Sequence, residues 1–261
     1  MKRYTIGLIT LLLIVGCSIP MSRSNSVVWL NEKQFNEETL IYKDGLMYHP
    51  DTKNLYSGKV IKNRMGGTKD FEGSYKNGKK DGLFTHWYEN GEKRNEINYT
   101  DGVLDGQLLK FHDNGKVYLN EFYTNGKVYD KSTFYYDNGQ KSSENIYSYI
   151  NGDKLTKWKK YYKNGEIHEE GNYINGKENG QFILYKNQNT IEKHNWKDGK
   201  KYGKQLVLYK NGNIKYQFYE KDGKVYGNFI YFNEDGTENI IIDCDKVDCP
   251  DMTNEKNKTT K

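Results

Sequence analysis

Short apolar segments recur along this 261-residue chain, and a polar corner separates each segment from the next. The segments are rich in aromatic and β-branched residues, which are the residue types enriched in strands. They include 84–88, 108–111, 134–136, 158–162, 182–185 and 229–232. Because most of the corners between them contain Asn-Gly or Asp-Gly, the pattern predicts strands of roughly six to eight residues joined as antiparallel hairpins.

The corners return at a fixed period. If position zero of each unit is placed shortly before each apolar segment, the units start at Gly58, Gly82, Gly106, Asp130, Thr156, Gly180, Gly203 and Gly227, with steps of 24, 24, 24, 26, 24, 23 and 24 residues. Nine residues after each start stands a glycine in seven of the eight units, and Asn189 in the other. A constant period of this length is the signature of a repeat architecture.

Each unit contains two corners, here named the tip and the base corner. The seven base corners are all Asn or Asp followed by Gly: 77–78, 101–102, 125–126, 151–152, 175–176, 198–199 and 222–223. This dipeptide tolerates positive φ at two consecutive residues, as a type I′ turn requires. The tips, such as Asn90-Gly91 and Asn138-Gly139, carry the same dipeptide, so the same turn chemistry is expected there.

A column of large side chains stands five residues after each start. It reads Asn63, Trp87, Phe111, Tyr135, Tyr161, Tyr185, Leu208 and Phe232. Residues at one strand position on successive hairpins lie beside one another across the sheet. The column is therefore interpreted first as a structural spine. Its central members Trp87, Phe111, Tyr135, Tyr161 and Tyr185, here called the ring column, are also the candidate binding face.

These patterns predict an all-β fold of tandem antiparallel β-hairpin repeats that form one elongated, twisted, single-layer meander sheet. Eight hairpins over 58–243 give about 16 strands. Residues 31–57 are expected to be an N-terminal cap with first strands and a brief helix from Asn31 to about Leu40, since Asn31 and Gln34 fit a capping box. Residues 244–261 are expected to be a cysteine-containing end and a disordered tail. Asp130, Thr156 and the 26-residue unit predict a local irregularity near the middle.

Composition supports a folded chain with a mildly basic surface. Hydrophobic residues make up only 35% of the chain and its mean hydropathy is -0.99, but aromatic residues reach 15%, including 24 tyrosines. A disordered chain would be poor in such residues. The formal charge of +5 falls to +3 if Lys2 and Arg3 leave with a leader, which is too weak to indicate nucleic acid as a partner.

The amino terminus predicts export. Lys2 and Arg3 precede a short apolar run that ends at Gly16-Cys17, which is typical of a secretory leader and too short to span a bilayer permanently. The run resembles a bacterial lipobox, so 1–16 is interpreted as a lipoprotein signal peptide, Cys17 as the lipid-modified residue and 17–30 as a Ser-rich tether. A plain signal peptide with an incidental cysteine and an uncleaved anchor are the alternatives. The expected location is the cell envelope, outside the cytoplasm, and the outer membrane if the bacterium has two membranes.

The sequence contains no arrangement typical of catalysis. The five histidines are scattered singly, and there is no phosphate-binding loop, nucleophile elbow or kinase catalytic loop. We therefore expect no enzyme activity, no cofactor and no metal site. Cys244 and Cys249 are an even pair in a compartment that would be oxidising, so a disulfide between them is possible; free thiols are the alternative.

The units resemble the bacterial variant of the MORN repeat, with the clearest likeness at 82–91 and 173–180. The resemblance covers about residues 45–243 and implies a non-catalytic binding or scaffold module. Its partners would be the membrane, through a lipid anchor on Cys17, and a protein or glycan of unknown identity. Some members of that family are labelled as antitoxins, so an antitoxin-like or immunity role that neutralises a toxin is the alternative.

Overall fold

A computed structural model describes residues 34–186 and 190–250. Its strands are β1 Phe35–Asn36, β2 Ile41–Lys43, β3 Leu46–Tyr48, β4 Gly58–Asn63, β5 Lys69–Lys76, β6 Lys79–Lys80, β7 Gly82–Trp87, β8 Lys93–Thr100, β9 Val103–Phe111, β10 Val117–Thr124, β11 Lys127–Tyr135, β12 Lys141–Ile150, β13 Asp153–Tyr161, β14 Ile167–Ile174, β15 Lys177–Glu178, β16 Gly180–Lys186, β17 Thr190–Lys197, β18 Lys200–Leu208, β19 Ile214–Lys221, β20 Lys224–Phe232 and β21 Glu238–Asp243. The remaining regular element is a 3-10 helix at Glu37–Thr39.

The fold is an all-β hairpin meander. A 19-stranded sheet contains every strand except β2 and β3, which pair with each other. From β4 to β21 consecutive strands pair antiparallel, except that β6 and β7 both pair with β5 and that β15 and β16 both pair with β14. β1 adds to the edge of β4 in parallel. Because β6 and β15 each continue after one residue into β7 and β16, the described part of 58–243 contains sixteen strands. The predicted fold class is confirmed.

The base corners are the predicted two-residue turns. At Asn125-Gly126, φ is 50° and 76°, and every other base corner likewise has positive φ at both residues. The tips differ, although they carry the same dipeptide. At the second tip, Gly91 has a φ of 87°, its amide donates to the Tyr88 carbonyl, and the Tyr88 amide donates to the Glu92 carbonyl. This is a three-residue loop with a single left-handed residue, so the expectation that both corners use one turn type is wrong.

Most hairpins carry a bulge just beyond the base corner. Between the pairs Ile97↔Leu108 and Tyr99↔Leu104, β8 advances two residues while β9 advances four. Gly106 lies inside this bulge with a φ of 104°, a conformation that residues with a Cβ rarely adopt. The glycine preference at position zero therefore follows from the bulge.

The 26-residue unit departs from this pattern, but it is more regular than the other units, whereas an irregularity was expected. Its base hairpin, β12–β13, pairs without interruption from Ser143↔Lys160 to Ile150↔Asp153. The two additional residues of this unit lie in β12 and lengthen it. In the other hairpins the second strand has two residues more than the first, and these form the bulge. Here the longer β12 supplies partners for them, so no bulge forms. Position zero, Thr156, then pairs regularly with Tyr147 and needs no positive φ. The predicted irregularity is wrong, because this hairpin is the most regular part of the array.

Side chains alternate between two faces of the sheet. The core face carries the residues two positions after each start, which are Val60, Phe84, Leu108, Ser132, Trp158, Phe182, Gln205 and Phe229. Val60, Phe84, Gln205 and Phe229 have no exposed surface. The ring column lies on the other side, here called the opposite face, where its members are half-buried. The most deeply buried column is thus a different one from the column that the sequence pattern emphasised.

Hydrophobic clusters close the core face at its two ends. Leu40, Tyr56, Val60, Tyr75 and Phe84 form the first cluster, which includes residues from the cap. Val207, Tyr216, Phe218 and Phe229 form the second, against which Cys244 and Cys249 pack.

The cap contains a single helical turn in place of the brief helix that was expected to begin at Asn31. Asn36 caps this turn, and its Oδ1 accepts a hydrogen bond of 3.2 Å from the Glu38 amide. Asn31 itself lies outside the described residues. The β2–β3 hairpin joins the array where the Met47 amide donates to the Gly78 carbonyl at 2.9 Å.

Candidate binding surface

The ring column occupies equivalent positions on five successive hairpins. Trp87 lies on β7, Phe111 on β9, Tyr135 on β11, Tyr161 on β13 and Tyr185 on β16. One strand separates each ring-bearing strand from the next, so successive rings are about 10 Å apart. The structure thus brings the five predicted residues onto one face in a regular row.

The main chain of every ring-column residue is held by the preceding hairpin. In each unit, the side chain of the residue directly after the column position donates a hydrogen bond to the main-chain carbonyl oxygen of the column residue in the next unit. Tyr88 bonds Phe111 at 2.7 Å, Tyr136 bonds Tyr161 at 2.6 Å and Tyr162 bonds Tyr185 at 2.8 Å. Histidine and arginine replace tyrosine in the other two contacts, which are His112 to Tyr135 at 3.0 Å and Arg64 to Trp87.

Tip asparagines form a second ladder between hairpins. The side-chain amide of Asn90 donates to the Asp113 carbonyl at 2.8 Å, and Asn114 repeats the contact with Asp137 at 2.9 Å. Both contacts connect a tip to the tip of the next unit. The array therefore fixes the distance between neighbouring rings through main-chain acceptors, independently of which ring is present.

Charged side chains border the rings on the opposite face. The ammonium group of Lys69 lies 4.6 Å from the centroid of the Trp87 ring and also pairs with Glu72 at 2.7 Å. Trp87 lines an open groove at the tips together with the Arg64–Asp70 ion pair and the exposed Arg94. The first ring thus lies among charged side chains of both signs.

The last ring of the column is tied into an ion pair. The Tyr185 hydroxyl donates to Glu170 at 2.9 Å, and Lys159 pairs with the same carboxylate at 2.9 Å. The hydrogen bond from Lys159 lowers the pKa of Glu170, and the hydrogen bond with Glu170 raises the pKa of Lys159. Burial raises the pKa of Tyr185, and its bond to the carboxylate adds to that effect. All three groups therefore keep their usual charge near neutral pH.

A polar network interrupts the core face in the third and fourth hairpins. Glu121 is 9% exposed and accepts hydrogen bonds from Ser132 at 2.5 Å and from the Tyr123 hydroxyl at 2.8 Å. The Tyr147 hydroxyl lies 3.1 Å from the Ser132 hydroxyl. Burial and the bond to Glu121 raise the pKa of Tyr123 to about 12. This network takes the place of the apolar contacts that surround Phe84 in the second hairpin.

A second polar network surrounds Glu192. Burial by itself would raise the pKa of this carboxyl group, but hydrogen bonds with His194 and Lys186 outweigh burial and lower the pKa to about 2. Lys186 lies at 2.5 Å and His194 at 3.2 Å, and the other nitrogen of His194 lies 3.0 Å from Gln205. The result is a charged cluster on the core face, next to the second hydrophobic cluster.

A row of aromatic side chains lies between the two polar networks along the core face. Trp158, Tyr173, Phe182 and Trp196 form a continuous row of ring contacts, with centroid distances of 6.2, 5.4 and 5.9 Å. The sequence interpretation did not single out this row. A usable signal was the tyrosine two residues before most base corners, which stands at positions 75, 99, 123, 149 and 173.

The cysteines fall into two groups. Cys17 lies outside the described residues, so its lipidation stays a prediction. Cys244 and Cys249 are joined by a disulfide, with Cα atoms 5.2 Å apart, and they pack on the second hydrophobic cluster.

No arrangement suited to metal-dependent chemistry occurs in 34–186 and 190–250, where no three histidine, cysteine or carboxylate side chains come together. The same residues include no helix of the length and apolarity needed to cross a membrane. What they do offer is a regular surface of rings and charges, which is suited to binding.

The comparisons with known proteins agree with a repeat array. The family model of the MORN repeat variant matches residues 80–101 and 155–175, which correspond to the second and the fifth strand pairs of the array. MORN repeats are generally binding or scaffold modules, and no enzyme family is indicated. A comparison with curated proteins gives no match.

A similarity to solved structures is remote. A chain in the structure described as "Crystal Structure of TcdB2-TccC3-TEV" is 10% identical, with a TM-score of 0.21. The match covers 77% of the present chain and 15% of that chain.

Proposed function

We propose that this array of MORN-like hairpins is a non-catalytic binding module, displayed at the cell envelope on a lipid anchor at Cys17, which takes an extended protein or glycan along the ring column. The observation that supports the proposal is the row of five half-buried rings on consecutive hairpins of one face. Repeat proteins commonly bind through such extended surfaces, because each repeat presents the same position to the ligand.

The surroundings of the rings favour recognition of a partner that is both apolar and polar. Trp87 has Lys69 beside it, and Tyr185 has Glu170 and Lys159 beside it. Tryptophan and tyrosine are among the residues that most often dominate binding energies. A ligand that lies across several hairpins would meet an equivalent ring about every 10 Å.

Capture of the partner from intact cells tests the proposal. The full-length protein and a variant with Trp87→Ser and Tyr161→Ser are each cross-linked on the cell surface, and the captured molecules are compared. The matched control carries Tyr129→Ser and Tyr149→Ser, because these tyrosines are 69% and 60% exposed but lie outside the column. The proposal expects a partner that the wild type and the control capture and that the column variant loses, while the circular dichroism of all three stays unchanged.

Two outcomes contradict the proposal. Equal capture by the column variant and the wild type means that the rings do not bind the partner. Loss of folding in the column variant, together with undiminished capture by a folded Tyr185→Ser single variant, means that the rings only hold the sheet. A toxin among the captured molecules would favour the antitoxin-like alternative.

The lipid anchor is tested separately. Cys17→Ser is expected to release the protein from the membrane fraction into the soluble extract, because acyl chains on that residue would be the attachment. Retention of the variant in the membrane fraction would argue against lipidation at Cys17.

A further inference from the structure

The two kinds of corner lie at the two long edges of the array, and these edges differ in charge. The edge of the base corners comprises 76–80, 100–104, 124–128, 150–154, 174–178, 197–201 and 221–225. These segments contain eleven lysines and five acidic residues, which give a net charge of +6.

The tip edge has the opposite sign. The described tips are 65–68, 89–92, 113–116, 137–140, 163–166, 210–213 and 234–237. They contain seven acidic residues and three lysines, which give a net charge of -4; over five residues, as counted for the base corners, Lys69, Lys93, Lys141 and Glu238 are added and the net charge is -2. Since the whole chain carries only +5, the separation between the edges is large compared with the net charge.

Most of these charges are exposed and form no ion pair with another described residue. On the base edge this holds for Lys76, Lys79, Lys127, Lys177, Lys197, Lys221 and Lys224, and on the tip edge for Glu89, Glu92, Asp113, Glu166, Glu234 and Asp235. The ion pairs within an edge are Lys200–Asp222 at the bases and Lys163–Asp137 at the tips. The free charges of each edge are therefore available to a partner.

The two edges also share one spacing. Each hairpin contributes one base corner and one tip, and both recur every second strand, about 10 Å apart. If the base edge of one copy lies along the tip edge of another, base corners and tips meet at the same spacing, and the attraction comes from the summed charge of each edge. The charge varies from corner to corner: 76–80 carries +3 and 100–104 carries -1, while the tips 89–92 and 234–237 carry -2 each. The charges of a linear polyanion need not recur at this spacing, whereas the corners and tips of a second copy of the chain recur at the same spacing.

We propose that copies of this chain associate side by side, with the basic base edge of one copy against the acidic tip edge of the next. This goes beyond ligand binding by the ring column, because it concerns the edges and leaves both faces of the sheet free. The contact joins two different surfaces, so a pair of copies still has one unused basic edge and one unused acidic edge, and the assembly continues to grow without closing.

The contact depends on salt, because it consists of exposed charges. The screening length is about 30 Å at 0.01 M ionic strength and about 3 Å at 1 M. Association is therefore expected at low salt and lost at high salt. Single exposed pairs are weak, so several corners must act together.

Charge reversal on each edge provides the test. One full-length variant carries Lys127→Glu, Lys177→Glu, Lys197→Glu and Lys224→Glu, which makes both edges acidic. The other carries Glu89→Lys, Asp113→Lys, Glu166→Lys and Glu234→Lys, which makes both edges basic. Sedimentation is measured for the wild type, for each variant alone and for their equimolar mixture at about 0.01 M and about 1 M salt. Circular dichroism establishes that each variant is folded.

The proposal expects the average mass of the wild type to rise several-fold with concentration at low salt and to return to that of the monomer at high salt. Each variant alone stays monomeric, and the mixture associates again, since each supplies the sign that the other lacks. A wild type that stays monomeric at low salt overturns the proposal, and so does a mixture that stays monomeric. If the wild type is monomeric but binds soluble polyphosphate, and the base-edge variant does not, the basic edge serves a polyanion instead.

Discussion

The hydroxyl group of Tyr136 donates a hydrogen bond of 2.6 Å to the main-chain carbonyl oxygen of Tyr161, which lies 25 residues later in the next hairpin. The contact is repeated along the array by Tyr88, Tyr162 and Tyr209 with their own acceptors. It uses a side chain of one unit and a main-chain acceptor of the next, so it stabilises the stack of hairpins whichever ring follows.

Removal of this hydroxyl group is expected to weaken the array. In Tyr136→Phe the ring remains but the Tyr161 carbonyl loses its donor, which should lower the free energy of unfolding by about 1 kcal/mol. Denaturant unfolding measures the change. The matched control is Tyr129→Phe, in which the tyrosine is 69% exposed, and it should stay within about 0.5 kcal/mol of the wild type. Equal effects of the two substitutions would show that the bond contributes nothing.

A second prediction concerns the close approach of Phe182 to Gly171. A Cβ atom added at Gly171 would lie 2.4 Å from the Phe182 ring, so the ring would have to move. Gly171→Ala is therefore expected to cost about 1–3 kcal/mol of stability through overpacking.

The double-mutant cycle with Phe182→Leu separates this contact from other effects of the alanine. The smaller side chain leaves room for the new methyl group, so the cost of Gly171→Ala should fall by at least about 0.5 kcal/mol in the Phe182→Leu background. Additive effects in thermal or denaturant unfolding would contradict the steric explanation.

A third prediction compares equivalent positions in two hairpins. Gly106 has a φ of 104°, and a Cβ there would lie 3.1 Å from the Asn98 Cβ, so Gly106→Ala is expected to destabilise the protein by more than about 1 kcal/mol. Thr156 occupies the same position in the regular β12–β13 ladder, and Thr156→Ala should cost less than about 1 kcal/mol. A larger cost at Thr156 than at Gly106, measured by denaturant unfolding, would contradict the role assigned to the bulge.

A fourth prediction concerns acid. The pKa of Glu192 is lowered from its ordinary value of 4.5 to about 2 in the folded protein. Between these two pH values the carboxyl group therefore binds fewer protons in the folded protein than in the unfolded chain. The stabilisation is fully present above pH 4.5 and is lost as the pH falls toward 2.

Glu192→Gln tests this dependence. The wild type is expected to be more stable than the variant near neutral pH by on the order of 2 kcal/mol, and the difference should shrink steadily between pH 4.5 and 2. Unfolding free energies measured across that range decide the matter. A difference that does not change with pH would mean that the carboxylate is not the source of the stabilisation.

Much of the fold could be predicted from the sequence, because its determinants are local. The base corners require two consecutive residues that tolerate positive φ, and Asn125-Gly126 and its equivalents satisfy that requirement without help from the rest of the chain. The period then fixes the number of strands and their order. The ring column could be placed on one face for the same reason, since strand alternation is a property of the backbone.

The tip conformation, the bulges and the most deeply buried column were decided by the tertiary structure. Asn90-Gly91 is the same dipeptide as in a base corner, but the loop that joins its two strands has three residues, whereas a base corner has two. Only Gly91 has positive φ in this loop. Thr156 differs from glycine for a reason that becomes visible only when β12 is paired with β13, because two added residues in one strand remove the bulge in the other.

The sequence by itself determined that this chain folds as a meander of hairpins, since the corner dipeptides and the strand periodicity act within a few residues. Which column is most deeply buried was decided by packing between hairpins, as the placement of Phe84 over Gly73 shows. The identity of the donor to each ring-column carbonyl was likewise decided across units, because the two atoms of each bond lie 23 to 25 residues apart in the chain. Local rules fix turns and alternation, whereas burial and hydrogen-bond partners depend on which strands become neighbours.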